Sequence, residues 1–117
     1  MKPGLEIQSE QTGKFAIIEV AGEVDLYSSP KIRKEIVDFI NKKLPVIIID
    51  LSGVSYMDSS GVATMVEGLQ LTERYDGKFY LCGLQSMVRE VFALSRLDTV
   101  FKIFDDLDTL KKQIPLE

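Results

Sequence analysis

Residues 45–69 read PVIIIDLSGVSYMDSSGVATMVEGL, and the change of period within this stretch decides the fold. Pro45 to Leu51 is a short apolar run rich in β-branched residues, which suits a strand buried on both faces. After Met57-Asp58-Ser59-Ser60-Gly61 the pattern becomes helical, with Val62, Met65, Val66 and Leu69 on one side. Two serines therefore stand where a buried strand hands over to an amphipathic helix. Backbone N–H groups at a helix start lack intrahelical partners, and the helix dipole favours negative charge there. A phosphoryl group on such a serine would be accommodated, so the turn suits reversible phosphorylation. Asp58 is among the best N-cap residues; its carboxylate is expected to accept a first-turn N–H and to orient the Ser59 hydroxyl or meet a partner's cation.

Upstream, Leu5 to Gln11 and Lys14 to Ala21 read as two strands joined by Gln11-Thr12-Gly13, a connection that suits a hairpin. Ser28-Ser29-Pro30 offers an N-cap followed by proline at the first helical position. The helix it opens runs to about Lys43, with Ile32, Ile36, Phe39 and Ile40 inward. Downstream, the second helix is expected to end at Tyr75-Asp76-Gly77, with Gly77 taking the left-handed conformation that stops it. A strand over Lys78 to Gly83 follows. A third helix covers about Gln85 to Ser95, with Met87 or Val88, Val91, Phe92 and Leu94 inward. The chain closes with a short strand over Val100 to Phe104 and a helix over Asp106 to Ile114, which turns Leu107, Leu110 and Ile114 to one face.

Strands alternating with helices after an opening hairpin imply an α/β domain with a mixed sheet. Ligands and partners of such sheets meet the carboxyl ends of the strands. If the second and third strands are parallel neighbours, the loops Gly22 to Ser29 and Val54 to Gly61 share one rim, where Asp25, Ser28, Asp58 and Ser59 converge. Met57, Met65 and Met87 at apolar positions read as core filler, with partial exposure at a partner surface as the alternative for Met57, just before the turn.

With 117 residues the chain is one domain, able to bury roughly two-thirds of its unfolded surface. Fourteen basic and eighteen acidic residues give a net charge of −4 without a basic stripe, which argues against nucleic acid as a partner. No segment approaches the roughly 20 apolar residues of a membrane span, so no membrane insertion and a cytoplasmic location are expected. Histidine is absent, which removes the usual base of serine hydrolases and the commonest zinc ligand. Cys82 is the one cysteine and reads as core packing.

Neither Gly-x-Ser-x-Gly nor a phosphate-binding loop of the Gly-x-x-x-x-Gly-Lys-Ser/Thr type is present. A phosphoacceptor aspartate of the receiver-domain kind would need a paired acid after the first strand; Glu23 and Asp25 stand apart in another context. Asp105, Asp106 and Asp108 open the last helix and complement its dipole. No enzymatic activity, no cofactor and no metal are expected. Gly68, inside the second helix, points to close approach of another backbone or to a weak point.

The segments Ala21-Gly22-Glu23-Val24-Asp25-Leu26-Tyr27-Ser28-Ser29-Pro30, Asp50-Leu51-Ser52-Gly53-Val54-Ser55-Tyr56-Met57-Asp58-Ser59-Ser60-Gly61 and Leu97-Asp98-Thr99-Val100-Phe101-Lys102-Ile103-Phe104, in this order, resemble the anti-sigma factor antagonist family. Its members are single STAS domains. The resemblance spans nearly the whole chain and implies one STAS-type α/β domain over residues 1–117, core about 5–114, with a mixed sheet and about four helices.

The same resemblance implies a partner switch. The unphosphorylated antagonist binds an anti-sigma factor that is also an ATP-dependent serine kinase, and the sigma factor is released. Phosphorylation by that kinase ends the contact, and a metal-dependent protein serine phosphatase restores it. In the family the acceptor is the hydroxyl residue directly after the aspartate, which places it on Ser59, with Ser60 the second choice. Asp25 and Ser28 then lie on a loop that joins the kinase interface, and Asp58, Ser59, Ser60, Gly61 and Val62 form the turn that meets the partner. A free monomer is compatible with the acidic single domain.

One departure stands out: many antagonists follow the serine turn with Gly-Leu-Gly, whereas this chain has Gly61-Val62-Ala63. The same domain also serves as a non-phosphorylated accessory or scaffold subunit, for example of a lipid ABC transporter. That is the alternative the resemblance leaves open.

Overall fold

The apolar run at the centre of the chain becomes the middle strand of a five-stranded sheet because both of its faces are covered. The computed structural model describes residues 4–115. Its elements are β1 (Glu6–Thr12), β2 (Phe15–Val24), α1 (Ser29–Asn41), β3 (Val46–Met57), α2 (Ser59–Glu73), β4 (Lys78–Cys82), α3 (Ser86–Leu94), a 3₁₀ turn (Leu97–Thr99), β5 (Lys102–Phe104) and α4 (Leu107–Gln113). The strands lie in sequence order, β1–β2–β3–β4–β5. β1 runs antiparallel to β2, and the remaining neighbours are parallel. The mixed α/β architecture with an opening hairpin and four helices is therefore the one the sequence implies.

Because the order advances in one direction, crossovers of a single hand put α1, α2 and α3 on the same face. There Ile18, Ile47, Ile49 and Leu51 pack with Ile32, Ile36, Met65, Val88 and Phe92 in the main core. The opposite face carries a smaller core of Ile17, Ile48, Cys82 and Phe104 under Leu110 of α4. Alternate residues of β3 thus point into two different cores, which is why the strand reads as an unbroken apolar run. Arg33 of α1 grips Glu67 of α2 through Nε–Oε1 at 2.7 Å and Nη2–Oε2 at 2.8 Å. The hydrogen bonds from the guanidinium hold the Glu67 carboxyl below the usual carboxylate range. Both side chains are substantially exposed, so water screens the pair and it adds little to stability.

Three of these expectations need correction first. β3 does not stop at Leu51 but continues to Met57, so the first half of the expected Val54–Gly61 loop is strand. Ser52, Gly53, Ser55 and Tyr56 are exposed on this extension, and the β2–β3 register shifts between Glu19 and Ala21 and again between Gly22 and Glu23, which hides its strand pattern. The left-handed residue after α2 is Asp76, with φ 63°, rather than Gly77. An aspartate tolerates that conformation because its short polar side chain bonds locally. The close neighbour of Gly68 is the ring of Phe79, not another backbone; a Cβ at residue 68 would lie 2.6 Å from Phe79 Cε1.

In α3, Val88 and Phe92 are buried, whereas Val91 is half-buried and Met87 and Leu94 face outward. Residues 88 and 92 are one turn apart and share the inner face, and 87 and 94 fall on its flank. Phe92 packs edge-on against Phe101, with ring centroids 5.4 Å apart. Phe92→Ala should therefore lower unfolding free energy by about 3–5 kcal/mol, and Leu94→Ala, 79% exposed in the parent, should change it by less than about 0.5 kcal/mol. Urea denaturation of the two variants checks this inward assignment; equal losses would refute it.

Candidate functional site

The rim is assembled by the last rungs of the β2–β3 ladder. Val24 and Met57 are register partners, and the Asp58 N–H donates to the Val24 carbonyl at 3.1 Å. The loop after β2 and the turn after β3 are thereby tied side by side, and each leads directly into a helix, α1 at Ser29 and α2 at Ser59. This brings together the two segments on which Asp25, Ser28, Asp58 and Ser59 were expected to converge.

The loop after β2 is closed by its own polar side chains. Asp25 Oδ1 accepts the N–H groups of Tyr27 at 2.9 Å and Ser28 at 3.0 Å. Ser28 Oγ accepts the Asp25 N–H at 2.9 Å and donates to the Glu23 carbonyl at 2.9 Å. Ser28 does occupy the N-cap position of α1, but its hydroxyl is spent on the loop and makes no side-chain cap bond; Pro30 lies in the first turn. The polar scaffold pushes the apolar residues between its ends outward: Leu26 is 67% and Tyr27 87% exposed. Neither had been singled out. The signal was available, since two large apolar residues inside a four-residue loop have no core to enter. Tyr56, which points outward from the end of β3, adds a third exposed large apolar side chain to the same rim.

The turn after β3 is built differently. Asp58 is an N-cap in extended conformation whose Oδ1 accepts the Ser60 N–H at 2.9 Å. The same oxygen accepts the Ser60 hydroxyl at 2.5 Å. Asp58 thus orients Ser60, not the Ser59 hydroxyl that the sequence reading assigned to it. The Asp58 carbonyl takes the N–H groups of Gly61 at 3.1 Å and Val62 at 3.2 Å, so these donors of the first turn are engaged. The Ser59 hydroxyl is exposed and has no hydrogen-bond partner among the described residues. A nucleophilic oxygen in that position is available to an incoming enzyme, whereas Ser60 is half-buried and committed.

Beneath the serines, Met57 is 1% exposed, so it fills the core and is not partly exposed at a partner surface. Its side chain and that of Val24 fill the space under Gly61. A Cβ built at residue 61 would lie 2.6 Å from Met57 Cγ and 2.7 Å from Val24 Cγ1. The glycine is thus required by close approach at the point where α2 leaves the sheet. Val62, next in the turn, is half-buried against the main core.

Other chemistry-bearing groups lie away from this rim. Cys82 is buried on the α4 side of the sheet, and its thiol is pushed up to about 12 by burial and by the nearby carboxylates of Asp50, Asp106 and Glu19. Asp106 caps α4 by accepting the Thr109 N–H at 2.7 Å, a bond that holds its carboxyl below the usual range. No group of three or more Cys, Asp or Glu side chains among the described residues is placed to hold a metal ion. No helix among them is long and apolar enough to cross a membrane.

Comparison with known proteins follows the same lines. The profile of the STAS domain matches residues 6–110. The anti-sigma-B factor antagonist of Listeria monocytogenes is 31% identical over 103 residues, covering 88% of this chain and 90% of that protein. An anti-sigma factor antagonist from Mycobacterium paratuberculosis superposes with a TM-score of 0.87 at 21% identity, over 97% of this chain and 98% of the other. The Bacillus cell fate determinant SpoIIAA in its phosphorylated form gives a TM-score of 0.73 at 25% identity, over 93% and 100% of the two chains.

Two outcomes are expected from this geometry. Gly61→Ala should lower unfolding free energy by about 1–3 kcal/mol through overpacking, read by urea denaturation; an unchanged or raised stability would contradict the tight contact. The Cys82 thiol should stay unreactive toward a thiol reagent at pH 8 in the native chain and react fully once the chain is unfolded in urea, because a thiol with so high a pKa is scarcely ionised. Rapid native labelling would contradict it.

Proposed function

This chain belongs to the STAS domain family, and we propose that it is an anti-sigma factor antagonist whose binding to its partner is switched off by phosphorylation of Ser59. The observation that carries the reading is the exposed, unengaged hydroxyl of Ser59 at a helix start, beside exposed Leu26 and Tyr27. Similarity to named antagonists over nine-tenths of a relative supports it, as does a relative solved in a phosphorylated form.

In this reading the unphosphorylated rim docks on an anti-sigma factor that is an ATP-dependent serine kinase. Leu26, Tyr27 and Tyr56 supply apolar contact area, and of these the two tyrosines are of the aromatic type that dominates interface energetics. Asp25 and Ser28 shape the loop that carries two of them, and Asp58, Ser60, Gly61 and Val62 hold the acceptor turn. The sigma factor is then released from the kinase.

Phosphorylation adds about −1.5 to −2 charge at Ser59. The chain already places the Asp58 carboxylate one residue away and the Asp25 carboxylate on the adjoining loop. Within a docked interface the added charge costs binding through desolvation and like-charge repulsion. At the free surface it is tolerated, because water solvates the phosphate and the start of α2 favours a negative group. The switch therefore needs no refolding. A metal-dependent protein serine phosphatase resets it, the chain itself is not an enzyme, and it works as a cytoplasmic monomer when free.

The test is intact mass after incubation with ATP and candidate kinases of the same genome, with Ser59→Ala alongside. One added phosphoryl group, lost in the variant, is the expected outcome. Ser59→Asp should weaken binding to that kinase by at least about tenfold, and Ser59→Ala should leave it within about twofold. No modification by any candidate, or unchanged affinity of Ser59→Asp, would contradict the proposal.

A further inference from the structure

We infer that Ser60 is a positioning residue for phosphoryl transfer to Ser59: its hydroxyl holds the Asp58 carboxylate against the helix and so keeps the Ser59 hydroxyl free. The inference rests on Ser59 being the acceptor. Asp58 is the N-cap and Ser59 the first helical residue, so that carboxylate is one residue from the acceptor hydroxyl. A carboxylate in such a position readily captures a neighbouring serine hydroxyl, as short local bonds of this kind compete at helix starts. Here it does not: Ser60 holds the Asp58 carboxylate through Oδ1, by its N–H at 2.9 Å and its hydroxyl at 2.5 Å, and in that orientation neither carboxylate oxygen is bonded to Ser59. A hydroxyl bonded to a carboxylate makes a short and strong contact, stronger than the neutral alternative. Ser60 is itself anchored, since its carbonyl accepts the Thr64 hydroxyl at 3.0 Å.

The consequence is chemical. In the transfer the Ser59 Oγ–H bond breaks and an Oγ–P bond forms, as the bond between the γ-phosphorus of a nucleoside triphosphate and its bridging oxygen breaks. The nucleoside diphosphate leaves with that electron pair, and the proton passes to a base of the kinase. Attack in line with the leaving oxygen requires the Ser59 lone pair to face outward. Capture by Asp58 would fold the hydroxyl back over its own turn and set a negative charge beside an incoming polyphosphate. The Ser60 clamp prevents both. It also assigns the two adjacent serines different work: Ser59 accepts the phosphoryl group, and Ser60 keeps it able to accept.

Ser60→Ala removes the hydroxyl but leaves the N–H bond that caps α2, and Ser60→Thr restores a hydroxyl. In the full chain, the Hα–Hβ couplings of Ser59 should show rotamer averaging in the wild type and in Ser60→Thr. In Ser60→Ala they should separate into one large and one small value, as Asp58 captures the hydroxyl. With an ATP-dependent kinase that modifies the wild type, kcat for Ser60→Ala should fall about fivefold with KM within about twofold, the depletion of free hydroxyl that one ordinary hydrogen bond produces. Ser60→Thr should retain the wild-type rate. Unchanged couplings in Ser60→Ala, or a kcat unchanged or raised, as when Asp58 acts as the base itself, would overturn the clamp. If no kinase modifies the wild type, it is the function of Ser59 that fails, and the couplings still decide whether Ser60 holds Asp58.

Discussion

The hydrogen bond from the Asp58 N–H to the Val24 carbonyl is the contact on which the functional rim depends. It extends the parallel pairing of β2 and β3 past the last paired residues, Val24 and Met57, and lays two loops side by side. Without it the strands would still form a core, but the loop of Asp25 and the turn of Asp58 would leave the sheet independently. The bond is held in place from below. Gly61 lets α2 approach so closely that the side chains of Met57 and Val24 fill the space a Cβ would take. Sheet pairing, helix departure and site geometry are thus one packing arrangement, and a change in any part moves the others.

On that base the two halves of the rim do different work. The loop after β2 spends its polar side chains on itself, and in doing so displays Leu26 and Tyr27. The turn after β3 spends Asp58 on Ser60 and leaves Ser59 open. Exposed apolar area and an unengaged hydroxyl therefore lie on one rim without sharing atoms. Among the described residues, no hydrogen bond of either segment passes through the Ser59 hydroxyl. This division suits a surface that must bind well in one chemical state and poorly in another.

Much of this was legible from residue types and spacing. The β-branched run from Val46 to Leu51 could be little other than a two-sided buried strand, and the α1 stripe at Ile32, Ile36 and Phe39 follows helical period closely. The expected Gly22–Ser29 loop, of which the first three residues prove to be strand, and the Asp58 turn fall on one rim because parallel neighbours end together. What escaped the sequence depended on three dimensions. The tail of β3 alternates poorly because the register shifts beside it, and the apolar positions of α3 cover more of the helix than the core can receive. Residue type left Met57 open between core filler and a partner contact, and burial makes it the floor of the turn. The difference between Ser59 and Ser60 is a matter of which hydroxyl a single carboxylate oxygen receives, and no pattern of residue types records that.

The central claim is that a preformed rim changes its charge and keeps its shape. Amide chemical shifts of the free and Ser59-phosphorylated chains, measured residue by residue, test it most directly. Shifts confined to about residues 23–29 and 56–64, with α3, β5 and α4 unmoved, are the predicted result. Changes spread across the sheet and the distant helices would show that phosphorylation rearranges the fold and would contradict the account.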